Sequence, residues 1–113
     1  MNKINIGQEF ENIAYNYLLK NGFKIIERNF TCKIGEIDII AKIDNTLVFV
    51  EVRGKTSGDP REAITENKIF RVRRMAEFYL SKYKLWDEDI RFDAILIKKT
   101  GSEYHIDHIP EAF

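Results

Sequence analysis

Between Gly35 and Arg53, two runs of alternating residues flank the turn pair Asp44-Asn45, and this hairpin restricts the fold more than any other stretch of the chain. Ile37, Ile39, Ala41 and Ile43 alternate with Glu36, Asp38, Ile40 and Lys42; beyond the turn, Val48, Val50 and Val52 resume the alternation. Successive side chains of a strand point to opposite faces, so one face of the hairpin is core. With Asp44 and Asn45 as the central turn residues, Ile43 faces Thr46 and the numbers of paired residues sum to 89. A slip of one residue would turn the whole apolar set into water.

This register sets Asp38 opposite Glu51 and Glu36 opposite Arg53 on the other face. Directly opposed side chains have Cβ atoms about 4.5–5.5 Å apart, and like charges held so are destabilising. Two readings follow. A divalent cation between Asp38 and Glu51 relieves the repulsion, and Arg53 and Lys55, at two-residue steps beyond Glu51, add fixed positive charge for a phosphodiester. Alternatively the face is a salt-bridge ladder of Glu36 with Arg53 and Glu51 with Lys55, which leaves Asp38 unpaired.

Before the hairpin, Ile6, Phe10, Ile13, Ala14, Tyr17 and Leu18 recur on one helix face, predicting a helix over residues 5–21 that stops at Asn21-Gly22. Phe23 to Phe30 reads as a strand. After the hairpin, Asp59-Pro60-Arg61-Glu62 has the pattern of a helix start, and Thr65 of a cap for a longer helix with Ile69, Val72, Ala76, Tyr79, Leu80 and Tyr83 as its apolar stripe. Leu85-Trp86 is expected to pack over the end of that helix. Ile90 to Lys98 and Tyr104 to Ile109 close the chain as a strand pair. The order αβββαββ predicts an α/β (α+β) fold, a central mixed five-stranded sheet flanked by helices, as one domain over residues 1–113.

Lys plus Arg number 18 and Asp plus Glu 18, a net charge of zero that conceals segregation. Residues 53–84 hold nine basic and four acidic side chains, whereas residues 85–113 hold three and seven. Lys68, Arg71 and Arg74 in the basic band are candidate nucleic-acid contacts, against the reading of an ordinary solvated helix face. The longest apolar runs, such as Leu47 to Val50, are far shorter than the roughly 20 residues of a membrane span, and no signal segment opens the chain, so a soluble cytoplasmic protein is expected. The single cysteine, Cys32, excludes an internal disulfide and reads as a small buried residue. His105 and His108 are three apart on a strand and point to opposite faces, against a shared zinc. No phosphate-cradling glycine loop or nucleophile elbow occurs, so no nucleotide cofactor is expected.

Gly35-Glu36-Ile37-Asp38 followed by Val48-Phe49-Val50-Glu51-Val52-Arg53 resembles the D…E-x-K signature of the PD-(D/E)xK, restriction-endonuclease-like superfamily. Over its whole length, from Gly7-Gln8-Glu9 through Gly22-Phe23, Arg28-Asn29, Lys68 and Arg91-Phe92-Asp93 to Ala112-Phe113, the chain resembles the bacterial YraN family of predicted endonucleases. The resemblance implies a restriction-endonuclease-like core, Glu9, Asp38 and Glu51 as ligands of Mg²⁺ or Mn²⁺, and Asp38, Glu51 and the basic position after them as catalytic, with Glu36 supporting. By analogy with archaeal Holliday-junction resolvases it implies DNA, branched or single-stranded, as substrate. One departure stands out. Where the superfamily has Lys this chain has Arg53, which cannot serve as a base although it can grip phosphate, so Lys55 becomes the candidate lysine. The same fold without hydrolysis, as a nucleic-acid-binding or adaptor module, is the alternative. So short a chain has limited surface for gripping a duplex, which is compatible with a homodimer that no motif demands.

Overall fold

A computed structural model describes residues 6–113. Its elements are α1 (Ile6–Lys20), β1 (Lys24–Cys32), β2 (Gly35–Ile43), β3 (Thr46–Lys55), a 3-10 turn (Pro60–Ala63), α2 (Glu66–Tyr83), β4 (Asp89–Thr100) and β5 (Glu103–Ile109). The expected start of the first helix, at residue 5, and the side chain of Ile6 lie outside the described residues. One sheet runs β1-β2-β3-β4-β5, antiparallel throughout except for the parallel pair β3 and β4, which α2 connects.

Local chemistry ends and starts the helices where the sequence indicates. Gly22 takes φ 87°, and the amides of Gly22 and Phe23 donate back to the carbonyls of Leu19 and Leu18 at 3.2 and 3.0 Å, closing α1. The Thr65 hydroxyl accepts from the Lys68 amide at 3.2 Å and opens α2. Asp59 caps the 3-10 turn by accepting from the Arg61 amide at 3.0 Å.

The hairpin has the expected register from Ile43 opposite Thr46 to Ile39 opposite Val50, but the ladder stops there, so the expected pairs Asp38–Glu51 and Glu36–Arg53 do not form. Both faces of the sheet are covered. On the α1 side, Ile39, Ala41, Val48, Val50, Val52, Ile95 and Ile97 pack under Phe10, Ala14 and Leu18. On the α2 side, Ile37, Ile40, Leu47, Phe49 and Phe92 pack under Val72, Met75, Ala76 and Tyr79. A Cβ on Gly54 would sit 2.1 Å from the Phe10 ring, so the glycine in β3 is what lets α1 lie directly on the sheet.

Four expectations need correction. Ile37 was expected on the face of Ile39 but packs under α2. The cause is Asn29, left-handed at φ 54° in β1 and positioned across from Asp38 between the pairs Arg28–Ile39 and Phe30–Ile37. Both strands change face together there, and the β2–β3 ladder ends at Ile39–Val50. In α2, Met75 is buried and Tyr83 is exposed, so the stripe ends a turn early. Leu85 packs against the core but Trp86 stands out in solvent. Cys32 is only partly buried.

Candidate functional site

Beyond Ile39–Val50, β2 and β3 part, and Asp38 turns its side chain into the gap. Its Oδ2 accepts from the backbone amide of Val52 at 2.8 Å, replacing a ladder hydrogen bond with a carboxylate bond. Glu51 follows Phe49 on the α2 side and is 1 % exposed. Its Oε2 accepts from Arg53 Nη2 at 2.8 Å and lies 3.2 Å from Lys68 Nζ, brought there by the first turn of α2. Glu51 Oε1 is buried without any hydrogen-bond partner. Arg53 Nη1 donates to the Val52 carbonyl at 2.7 Å and reaches Asp38 Oδ2 at 3.5 Å, so one guanidinium touches both acids.

The protonation equilibria respond accordingly. Burial, then the neighbouring Asp38 carboxylate, pushes Glu51 up to about 8 against the opposing pull of Arg53. Asp38 is also raised by burial, with the Val52 amide and Arg53 acting in the other direction. Both carboxyls therefore ionise less readily than free side chains, and a further positive charge beside them would favour their ionised forms.

A third carboxylate comes from α1, and it is Glu11. Glu11, Glu36 and Asp38 each offer an oxygen within 4.8 Å of the other two. Glu11 is raised by burial although Arg28 opposes this, and Glu36 is raised by burial and by Asp38. Glu11 Oε1 accepts from Arg28 Nε and Nη2 at 3.2 and 3.0 Å and from Asn29 Nδ2 at 3.0 Å. Glu9 lies elsewhere: its carboxylate accepts from the Tyr104 hydroxyl and lies 3.3 Å from Lys99 Nζ, toward β5. Glu9 and Glu11 flank Phe10, about 200° apart around the helix, and hydrophobic spacing alone does not say which edge meets the fork. Arg28 and Asn29, at the strand's turn of face, are what orient Glu11, and no spacing in the sequence ties them to it.

Of the other residues singled out from the sequence, Asp38, Glu51, Arg53 and Lys68 come together, with Glu36 beside Asp38. Neither rung of the alternative salt-bridge ladder forms: Arg53 goes to Asp38 and Glu51, and Lys55 lies 3.7 Å from Glu62. Arg71 and Arg74 line a groove farther along α2. The imidazoles share no site, because His108 sits between Tyr17 and Asp93 while His105 is exposed.

These residues suit a hard divalent cation. The donors are carboxylate oxygens, and a buried oxygen without a partner costs about 1–3 kcal/mol, which a bound cation would relieve. Asp38 belongs both to the pair with Glu51 and to the trio with Glu11 and Glu36.

Parallel β3 and β4 joined by α2, with a β1–β2 meander on one side and β5 on the other, form a restriction-endonuclease-like core with its acids at the strand fork. The family described as "Uncharacterised protein family UPF0102" matches residues 10–97, and the chain belongs to that family. It is 42 % identical over 111 residues to a UPF0102 protein of Geobacter metallireducens, covering 96 % of this chain and 91 % of that one. It is 39 % identical over 120 residues to a UPF0102 protein of Clostridium botulinum, covering 100 % and 98 %. To a UPF0102 protein of Clostridioides difficile it is 40 % identical over 116 residues, covering both chains fully. No helix among the described residues is long and apolar enough to cross a membrane.

Proposed function

We propose that the chain is a metal-dependent nuclease that hydrolyses phosphodiester bonds of DNA, with branched or single-stranded forms as substrates. One observation carries the reading: Glu51 is buried beside Asp38 with one oxygen unpartnered, two cations on the other, and a carboxyl raised to about 8. Structural carboxylates are normally satisfied, whereas raised, incompletely paired ones gather at reactive sites. Mg²⁺ or Mn²⁺ held by Asp38 and Glu51 would supply Lewis-acid polarisation of the phosphate and a more acidic water.

The chain's own groups supply the rest. Lys68 Nζ, fixed at Glu51, offers donors for the phosphate oxygens on which charge develops. The Arg53 guanidinium has only donors, in a planar fork that matches a phosphate, so its part is to bind and orient. In this reading Lys68 takes the part of the amine in the D…E-x-K pattern, reached from α2 instead of from β3. Glu11, oriented by Arg28 and Asn29, extends the acidic lining.

Arg53 also supports a second reading. Its guanidinium touches both Asp38 and Glu51 and partly neutralises them, which favours a catalytically weak nucleic-acid-binding or adaptor module. Purified protein with Mn²⁺ is expected to nick labelled junction, flap or single-stranded DNA. Asp38→Ala and Glu51→Gln should abolish this, Lys68→Ala should cost about 100-fold, and Lys55→Ala far less. Binding that persists in the acid variants, with no cleavage by the parent, selects the second reading.

A further inference from the structure

One turn beyond Lys68, α2 carries a groove of about 390 Å³ lined by Ile34, Asn67, Phe70, Arg71 and Arg74. Phe70 is 66 % exposed, although large aromatics usually earn their place by burial. The Arg74 guanidinium carbon lies 6.0 Å from the Phe70 ring centroid, within cation–π range. Arg71 packs its stem against Gly35, with its Cδ 3.5 Å from where a Cβ would stand, and forms no ion pair among the described residues. The groove therefore offers an exposed aromatic ring and two cations, Arg71 unpaired among the described residues and Arg74 4.0 Å from Glu77 on its outer side, with no acid in its lining.

We infer that this groove is a stacking subsite for an unpaired nucleotide, so that the substrate enters as a single or splayed DNA strand. The inference rests on the nuclease reading for the nature of its ligand. Charge complementarity commits the groove to a polyanion, and Phe70 adds what a phosphate alone does not use, a face for a base. A duplex presents its backbone here but keeps its bases stacked inside, whereas an unpaired strand presents both. Lys68 and Arg71 are three residues apart and so lie on the same side of α2, Lys68 at Glu51 and Arg71 at the groove. A strand with one base on Phe70 thus carries its adjoining phosphates past Arg71 toward Lys68 and Glu51.

The test is fluorescence anisotropy with labelled oligo-dT and with a duplex of equal length, in EDTA so that nothing is cut. Phe70→Ala is expected to weaken oligo-dT binding roughly 5- to 100-fold while duplex binding stays near that of the parent, and Phe70→Tyr should retain oligo-dT binding. Arg71→Ala with Arg74→Ala should weaken both forms and reduce the salt dependence of binding. Unchanged oligo-dT binding in Phe70→Ala, or equal losses on both forms, overturns the subsite and leaves the nuclease reading standing. If the parent binds neither form of DNA in EDTA, the subsite fails, while the nuclease reading is decided separately by cleavage in Mn²⁺. Binding of an oligo-glutamate peptide that Phe70→Ala abolishes, without a matching effect on oligo-dT, assigns the groove to a protein and overturns the inference.

Discussion

Glu51 and Asp93 are the two buried acids among the described residues, on neighbouring strands and opposite faces of the sheet, and their surroundings treat them in opposite ways. Asp93 accepts from Arg91 Nε and Nη2 at 2.9 Å each and from the Glu111 amide at 3.2 Å, with His108 Nε2 at 2.7 Å and the Tyr17 hydroxyl on the far ring nitrogen. Burial pushes its carboxyl up, but His108, Arg91 and the Glu111 amide outweigh this and leave it below the usual aspartate value. Glu51 is equally buried, has an oxygen with no partner, and is raised. A buried carboxylate with both oxygens satisfied is architecture; Glu51, with one oxygen bare, is the acid that the proposed reading assigns to a cation.

The largest expected effect falls on the satisfied acid. Asp93→Asn should destabilise the fold by about 3–5 kcal/mol, since it leaves Arg91 and His108 facing a neutral amide, with the lower end favoured because Arg91 reaches solvent. Because the folded carboxyl is depressed, its contribution is present above the unfolded value near 3.8 and disappears as pH falls through the folded one. Urea unfolding of both proteins at falling pH checks this: the gap should narrow in acid. A gap that is constant with pH would remove the electrostatic explanation.

Glu51→Gln should act with the opposite sign. The folded acid binds its proton more tightly than the unfolded one, so the parent loses stability as pH rises from about 4.5 through about 8, by an amount on the order of several kcal/mol. The glutamine variant lacks that slope. Its melting temperature should match the parent near pH 5 and exceed it near pH 8.5, and Mn²⁺ should raise the parent's melting temperature at the higher pH with little effect on the variant. A parent that becomes more stable across this window would place Glu51 with Asp93.

How far the sequence spoke for these two regions differs as well. The hairpin register was legible because alternation and a two-residue turn leave one pairing that buries the apolar set. The helix ends were legible from Gly22 and Thr65, whose chemistry is local. The turn of face at Asn29 and Asp38 was not, since a left-handed residue inside a strand leaves the alternation of side-chain types unchanged. Glu11 was hidden for the same reason, because choosing it over Glu9 requires knowing which edge of α1 overlies the fork. Lys68 meets Glu51 only through the crossover from β3 to α2, a contact across 17 residues of chain that no spacing rule encodes. The satisfied cluster was partly visible, with Arg91 and Asp93 at alternate positions of one strand, but its His108 and Tyr17 partners are long-range.

The smallest effect probes the kink that makes the two regions unlike. Asn29 has two separable roles: its backbone at φ 54° turns the strand, and its amide holds Glu11 at 3.0 Å. Glycine takes that conformation without steric cost, so Asn29→Gly deletes the amide while keeping the turn. Loss of one exposed hydrogen bond predicts a stability change of under about 1 kcal/mol, with Arg28 still on Glu11. Asn29→Val keeps neither role and should cost more, since a branched Cβ is strained in the left-handed region. If the amide serves the acidic fork, the glycine variant will melt near the parent yet respond less to Mn²⁺. If instead it melts several degrees lower with an undiminished response, Asn29 belongs to the architecture, and Glu11 is held in place for the fold alone.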